Sequence, residues 1–512
     1  MRRLFTILMI LTLAGAGGAL AQAPGRGPGG PQQGGPQQGP QRGGAAPAGA
    51  SQLPPLPPAA VTHHVLQLPD RTLNFTATAG TIRLFDANSG VPQADIATLT
   101  FALDGADART RPVTFVFNGG PGYASGWLDL GGLGPWRLPM SGEADRPSAA
   151  PVTLDNADTW LDFTDLVFID PAGTGYSRIL GGDDVRRALY SVNGDIQSLA
   201  VTVRRWVEAN NRLESPKFIA GESYGGFRAP KIARQLQQDQ GIGVAGIVMI
   251  SPVLDFNRFN ASSSPLALAA RLPSYAAVAR QAKGPITRAD LADVEQYAQG
   301  DFLADVLKGV ADQAAVARLS AKVAALTGLD PAFVARFRGR VPVNAFLREF
   351  DRAAGRVLSR YDGSVSGIDP APLAAFGNYD DQLRVGLQAP ISEAMVDLYH
   401  IKLDWNVENG RYQFFNQEAG RQWDYGHGAV NATADLERDL ALDPKFAVLV
   451  VHGLTDLVTS YFETRMELDQ LPLAGATGRI TFDVLPGGHM VYLNDASRKA
   501  LREDARVLIE GR

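Results

Sequence analysis

The chain has 512 residues, with 48 Lys and Arg against 53 Asp and Glu, for a formal net charge of −5 at pH 7. A hydrophobic content of 45% with 20% charged residues is ordinary globular composition and excludes wholesale disorder, and the weakly acidic balance excludes the basic footprint of a nucleic-acid binder. There is no cysteine, which excludes disulfides, thiolate metal sites and a cysteine nucleophile.

In chain order, the first element is a leader. Arg2 and Arg3 precede an apolar run from Leu4 to Leu13, and Ala19-Leu20-Ala21 is a small-x-small cleavage site. This pattern predicts a signal peptide over 1–21, since a membrane span takes about 20 apolar residues. The expectation is an exported protein, periplasmic or extracellular, with no membrane insertion after cleavage. Residues 22–60 are rich in Gly, Pro and Gln and include the near-repeat PQQGGPQQGPQ. With little to bury, they are predicted to be a disordered linker.

From residue 61 the pattern is globular. Short alternating, β-branched stretches around Leu66, Leu73–Thr78, Ile82–Phe85 and Ala97–Leu103 predict antiparallel strands. Then come short apolar runs, Val113–Phe117, Leu166–Ile169 and Phe218–Ala220, each ending in turn residues, followed by Ile247–Ile250 and Ala447–Val451, with Ile480–Val484 as the last strand candidate. Runs without alternation suit parallel strands covered on both faces. Ile196, Leu199, Ala200, Val203, Trp206 and Val207 share one face at helical spacing, and a helix over Ala500–Ile509 closes the chain. Strand, helix, strand with glycines at strand ends predicts an α/β core over 61–256 and 445–512. Residues 257–444 are too long for a connection and read as a largely helical cap insertion.

Gly221-Glu222-Ser223-Tyr224-Gly225 fits the nucleophile elbow G-x-S-x-G, in which a tight strand-to-helix turn exposes the serine Oγ. A serine hydroxyl needs a base, and the base needs an orienting carboxylate. His489, in the Gly-rich loop after the last strand, and Asp456, after the strand before it, follow Ser223 in the order this architecture uses. Of the other histidines, His63 and His64 lie ahead of the predicted sheet, His400 and His427 lie in the insertion, and His452 suits a hydrogen-bonded structural role. The oxyanion needs two donors: the Tyr224 N–H from the elbow and the Gly120 N–H from Asn118-Gly119-Gly120-Pro121-Gly122. This acyl-transfer chemistry requires no metal or organic cofactor.

These motifs add up to a resemblance. The Asn118–Gly122 loop, the run from Leu166 to Asp170-Pro171-Ala172-Gly173-Thr174-Gly175-Tyr176-Ser177, the elbow with Gly226, the Gly453-x-x-Asp456 turn and Gly488-His489-Met490 are similar to the serine carboxypeptidase family. The resemblance, taken here as that of a bacterial exported member, implies an α/β-hydrolase fold. That fold has a mostly parallel central sheet, antiparallel N-terminal strands and a helical cap. The resemblance implies a Ser223, Asp456, His489 triad, a Gly120 and Tyr224 oxyanion hole, and a peptide as substrate, hydrolysed at its C-terminus. It assigns Asn118, Gly119 and Glu222 to substrate binding, with Asn118 and Glu222 at the terminal carboxylate.

The family commonly has Trp two residues before that Asn and a second Glu fourteen residues after it. Here those positions hold Val116 and Gly132. Without the second acid, a normally ionising Glu222 would repel a terminal carboxylate at neutral pH. The expected result is a pH optimum shifted toward neutral and a weaker demand for a free C-terminus. Two other readings stay open: an esterase, amidase or acyltransferase on the same triad, and a secreted binding protein whose triad is vestigial.

Overall fold

The computed structural model describes residues 55–140, 146–259, 264–374, 379–426, 430–472 and 477–511. The expected signal peptide lies outside the described residues, and so does most of the expected linker. The end of that linker runs onto the fold: Trp405 Nε1 donates to the Pro58 carbonyl at 3.0 Å, and the first strand begins at Ala60.

The unit Pro54–Arg512 is built on one large sheet. The strands are β1 (Ala60–Gln67), β2 (Thr72–Phe85), β3 (Pro92–Leu103), β4 (Val113–Phe117), β5 (Trp136–Arg137), β6 (Leu154–Asp155), β7 (Asp165–Ile169), β8 (Arg178–Ile179), β9 (Lys217–Glu222), β10 (Gly246–Ile250), β11 (Arg356–Leu358), β12 (Ser366–Ile368), β13 (Ala447–Gly453) and β14 (Ile480–Leu485). The sheet runs β1-β2-β3-β7-β4-β9-β10-β13-β14, with β8 on β3 beside that path. β1, β2, β3 and β7 pair antiparallel in turn. From β7 through β4, β9, β10, β13 and β14 every pairing is parallel.

The reason lies in the residues. β4, β7, β9 and β10 are buried at every position, as strands covered on both faces must be. The two predicted strands Leu73–Thr78 and Ile82–Phe85 are one strand, β2, because extended backbone continues through Gly80. His63 and His64, expected ahead of the sheet, sit in β1.

Helices cover both faces. The helix Val192–Ala209 starts where the Ser191 side chain accepts the Gly194 N–H, and its Ile196, Leu199, Val203 and Trp206 join the core with Phe115, Ile219 and Met249. The opposite face packs the final helix, Asp495–Glu510, through Leu501, Ala505 and Ile509, with Leu128, Val248 and Tyr492. Between β10 and β13 the chain divides among three cores. Helices Pro265–Gln281, Gln313–Thr327 and Val343–Glu349 pack with one another and with Leu454 and Tyr461. The helix Gln382–Asp397 joins Trp127 and Phe414, and the helix Thr433–Leu442 joins Phe446 and Val448 on the other sheet face. Among the described residues, no helix is long and apolar enough to cross a membrane.

Candidate active site

Loops at the carboxyl ends of parallel strands build the site, where open α/β sheets place ligands. β4 ends at Phe117 and leads into Asn118-Gly119-Gly120. β9 ends at Glu222, just before Ser223. β13 ends at Gly453, three residues before Asp456, and β14 ends at Leu485, four before His489. Parallel pairing puts these four ends on one rim, with β10 between β9 and β13.

Ser223 makes the turn into the helix Tyr224–Gln235 with φ 60° and ψ −119°. A non-glycine residue there costs roughly 1–3 kcal/mol. The turn is held by the Ser223 N–H, which donates to Ile250 O at 2.9 Å, and by the Gly226 N–H, which donates to Ser223 O at 3.0 Å. A Cβ on Gly221 would lie 2.0 Å from Gly225 O, and one on Gly225 would lie 2.3 Å from Phe117 O. Only glycine fits on either side of the elbow.

His489 is buried, and its Nδ1 lies 2.9 Å from Asp456 Oδ2. That contact puts the ring hydrogen on Nδ1 and leaves Nε2 as an acceptor. Asp456 is fixed in turn. Its Oδ1 accepts the Val458 and Thr459 N–H groups, and the Thr459 hydroxyl lies 2.8 Å from Oδ2 and 3.1 Å from His489 Nδ1. Burial opposes charge on the His489 ring, but the charge and hydrogen bond of Asp456, with Glu222 adding, outweigh it and raise the pKa above the usual histidine value. Ser223 and His489 line one cavity of about 520 Å³ without a direct hydrogen bond between them, a looseness that often closes only with substrate.

Asn118, Gly119 and Gly120 line the same cavity. A Cβ on Gly119 would lie 2.6 Å from the Tyr224 nitrogen and 2.9 Å from Ser223 Cβ, so glycine is what lets the two loops touch. Among the described residues, neither the Gly120 nor the Tyr224 N–H donates within the protein. Both remain available to an oxyanion.

Glu222 departs from the expectation of a solitary, normally ionising carboxylate. It is buried, and burial raises its pKa to about 7, with the charge of His489 and then hydrogen bonds from Tyr492 and Asn118 pulling the other way. The Tyr492 hydroxyl donates to Glu222 Oε2 at 2.6 Å, and Asn118 Nδ2 donates to the same oxygen at 2.8 Å. Asn118 Oδ1 accepts the Leu128 N–H, which fixes the amide's orientation. Gly132 does not leave a gap. A Cβ there would lie 3.2 Å from Tyr492 Cβ, and one on Gly131 would lie 2.5 Å from the ring, so this glycine pair admits the tyrosine that partners the acid. Val116 is fully buried within β4.

Sequence reasoning missed Tyr492, Thr459 and the arginines of the cavity wall. Tyr492 lies three residues after His489, so position alone could have flagged it. Arg348, Arg360 and Arg384 come from the segment between β10 and β13, with no local signal. His452 lies buried beneath the site, and burial lowers its pKa to about 4, so it stays neutral. His427 lies outside the described residues. Among those residues, no group of three or more His, Cys, Asp or Glu side chains could hold a metal ion.

A mostly parallel sheet, a serine on a strand-to-helix elbow and an Asp–His pair from the last two strand ends are the arrangement of the α/β-hydrolase fold. Residues 101–308 match the family model described as Peptidase_S10, serine carboxypeptidase. The pheromone-processing carboxypeptidase KEX1 of Yarrowia lipolytica is 30% identical over 212 residues, 40% of this chain and 32% of that protein. The KEX1 of Ajellomyces capsulatus is 34% identical over 131 residues, 25% of this chain and 18% of that protein. These matches span a third or less of the relatives' length. Among solved structures, esterase E22 aligns at 11% identity and a TM-score of 0.38, covering 85% of this chain and 100% of that one.

Proposed function

We propose that the protein is a serine-type peptidase of the carboxypeptidase kind, acting through an acyl-enzyme on Ser223. His489 Nε2 takes the Ser223 proton as Oγ attacks the substrate carbonyl. The Gly120 and Tyr224 N–H groups meet the oxyanion, each worth roughly 3–4 kcal/mol in comparable sites. His489 then protonates the leaving amine, and water reverses the sequence. Asp456 holds the imidazole tautomer and stabilises its cation. Asn118, Gly119 and Glu222 receive the substrate's terminal carboxylate, with Glu222 in its neutral form as a donor. Within residues 257–444, the helices Pro265–Gln281, Gln313–Thr327 and Val343–Glu349 serve as the cap, and the leader directs export.

The observation that carries this reading is the 2.9 Å Asp456–His489 contact at the wall of a cavity that Ser223 also lines. The family match over residues 101–308, which includes the elbow, supports peptides as the substrate class. The test is mass spectrometry of a mixed peptide pool, paired with fluorophosphonate labelling. The expected outcome is stepwise loss of C-terminal residues, with labelling abolished by Ser223→Ala. Turnover of simple esters with every peptide intact would overturn the peptidase reading, and absence of labelling would overturn the enzyme reading.

A further inference from the structure

The cavity beside Ser223 has a second set of walls, which the chemistry above does not use. Arg348, Arg360 and Arg384 line it, all from the segment between β10 and β13. Arg348 is buried and ion-paired with Asp369 at 3.0 Å, yet its Nη1 has no hydrogen-bond partner among the described residues. Arg360 and Arg384 are half-buried, and neither forms an ion pair among the described residues. Arg360 Nε reaches the Leu457 carbonyl at 3.3 Å, and Arg384 Nη1 reaches the Tyr123 hydroxyl at 3.4 Å. Most of their donors are uncommitted.

The two acids on the cavity cancel only part of this charge. Asp381 spends its oxygens on neutral donors: Oδ1 accepts from the Ser359 hydroxyl and the Arg384 N–H, and Oδ2 accepts the Arg360 N–H. Glu222 is tied to Tyr492 and Asn118. A chain with net charge −5 thus holds an excess of guanidinium groups in the cavity that its nucleophile faces. Partly buried guanidinium groups lose hydration that only an anion repays in full, and their planar forks match a carboxylate.

We propose that Arg360 and Arg384 form a subsite for the carboxylate side chain of an Asp or Glu residue flanking the scissile bond, so that the preferred substrates are acidic peptides. This names the substrate class of the peptidase reading and rests on it. The anion is assigned to a side chain because the Asn118, Gly119 and Glu222 wall already accounts for the chain terminus.

The experiment is equilibrium binding by calorimetry on the Ser223→Ala protein, which binds without turnover. The ligands are acetylated dipeptides Glu-Ala and Ala-Glu and their Gln counterparts, each as free acid and as amide. Glu is expected to bind roughly tenfold tighter than Gln in at least one position, in both the acid and amide series. That preference should fall toward unity in Arg360→Gln and Arg384→Gln, each checked for native circular dichroism. Equal affinity for Glu and Gln would overturn the proposal without any variant. So would a preference that follows only the free terminus, or one that survives both substitutions. The unmodified protein is assayed in parallel on the same peptides. Failure to cleave any of them would sink the peptidase reading, while the binding ratios still judge the arginine subsite.

Discussion

Glu222 shows how far one side chain can move from its ordinary chemistry. Held neutral by burial, it is a hydrogen-bond donor toward a carboxylate; ionised, it repels one. If Glu222 captures the terminal carboxylate as proposed, its pKa near 7 sets an alkaline limit on that capture. His489 sets the acid limit, since it must be neutral to accept a proton and its pKa is raised. The kcat/KM of a peptide with a free C-terminus, taken relative to that of the same peptide as an amide, should carry a falling limb near pH 7. The same peptide as an amide should lack that falling limb. Tyr492→Phe removes a donor that stabilises the Glu222 carboxylate, so the Glu222 pKa rises further and the falling limb moves to higher pH. An unmoved limb would show that Tyr492 does not govern Glu222. Asp456→Asn should lower kcat by roughly 10⁴-fold with little change in fold, measured by steady-state kinetics and circular dichroism.

At the scale of elements, the site depends on how the elbow helix is anchored. Arg228, on the helix Tyr224–Gln235, is fully buried. It donates to both oxygens of Asp195 at 2.7 and 3.1 Å and to the Asn118 carbonyl at 2.5 Å. One side chain thus ties the elbow helix to the helix Val192–Ala209 and to the Asn118–Gly122 loop. Arg228→Leu leaves Asp195 buried without its partner. Urea unfolding should read a loss of about 3–5 kcal/mol. Gly119→Ala acts instead on the contact between two loops. Its Cβ would lie against the Tyr224 N–H, so kcat should fall roughly 10²–10³-fold while near-UV circular dichroism stays native.

Across the whole molecule, several acids are buried with raised pKa values. Burial lifts Asp170 to about 6, and Asp439 and Glu222 to about 7. Such groups bind protons more tightly folded than unfolded. The stability they contribute is full below the unfolded carboxyl value and is lost as pH rises through 6 to 7. His452 has the opposite sign. Its depressed pKa adds stability as pH rises from about 4 to the ordinary histidine value. Three acids against one imidazole should leave the folded state more resistant to urea at pH 5 than at pH 8. The opposite trend would show that these acids are not buried in neutral form.

The amino-acid sequence by itself determined the strands and which residues stand at their ends. Val113–Phe117, Leu166–Ile169 and Ile247–Ile250 are continuous apolar runs that only a strand covered on both faces can bury, and each was legible within a residue of its final span. Ser223, Asp456 and His489 were legible because glycines and turn residues mark strand ends. Only the tertiary structure decided that β7 sits between β3 and β4, and that the two predicted strands through Gly80 are one. It alone decided the state of Glu222, whose partner Tyr492 lies 270 positions away, and the arginine wall of the cavity. The physical reason is that periodicity and turn chemistry are local, whereas a pKa or a free guanidinium depends on which distant groups share its buried surroundings.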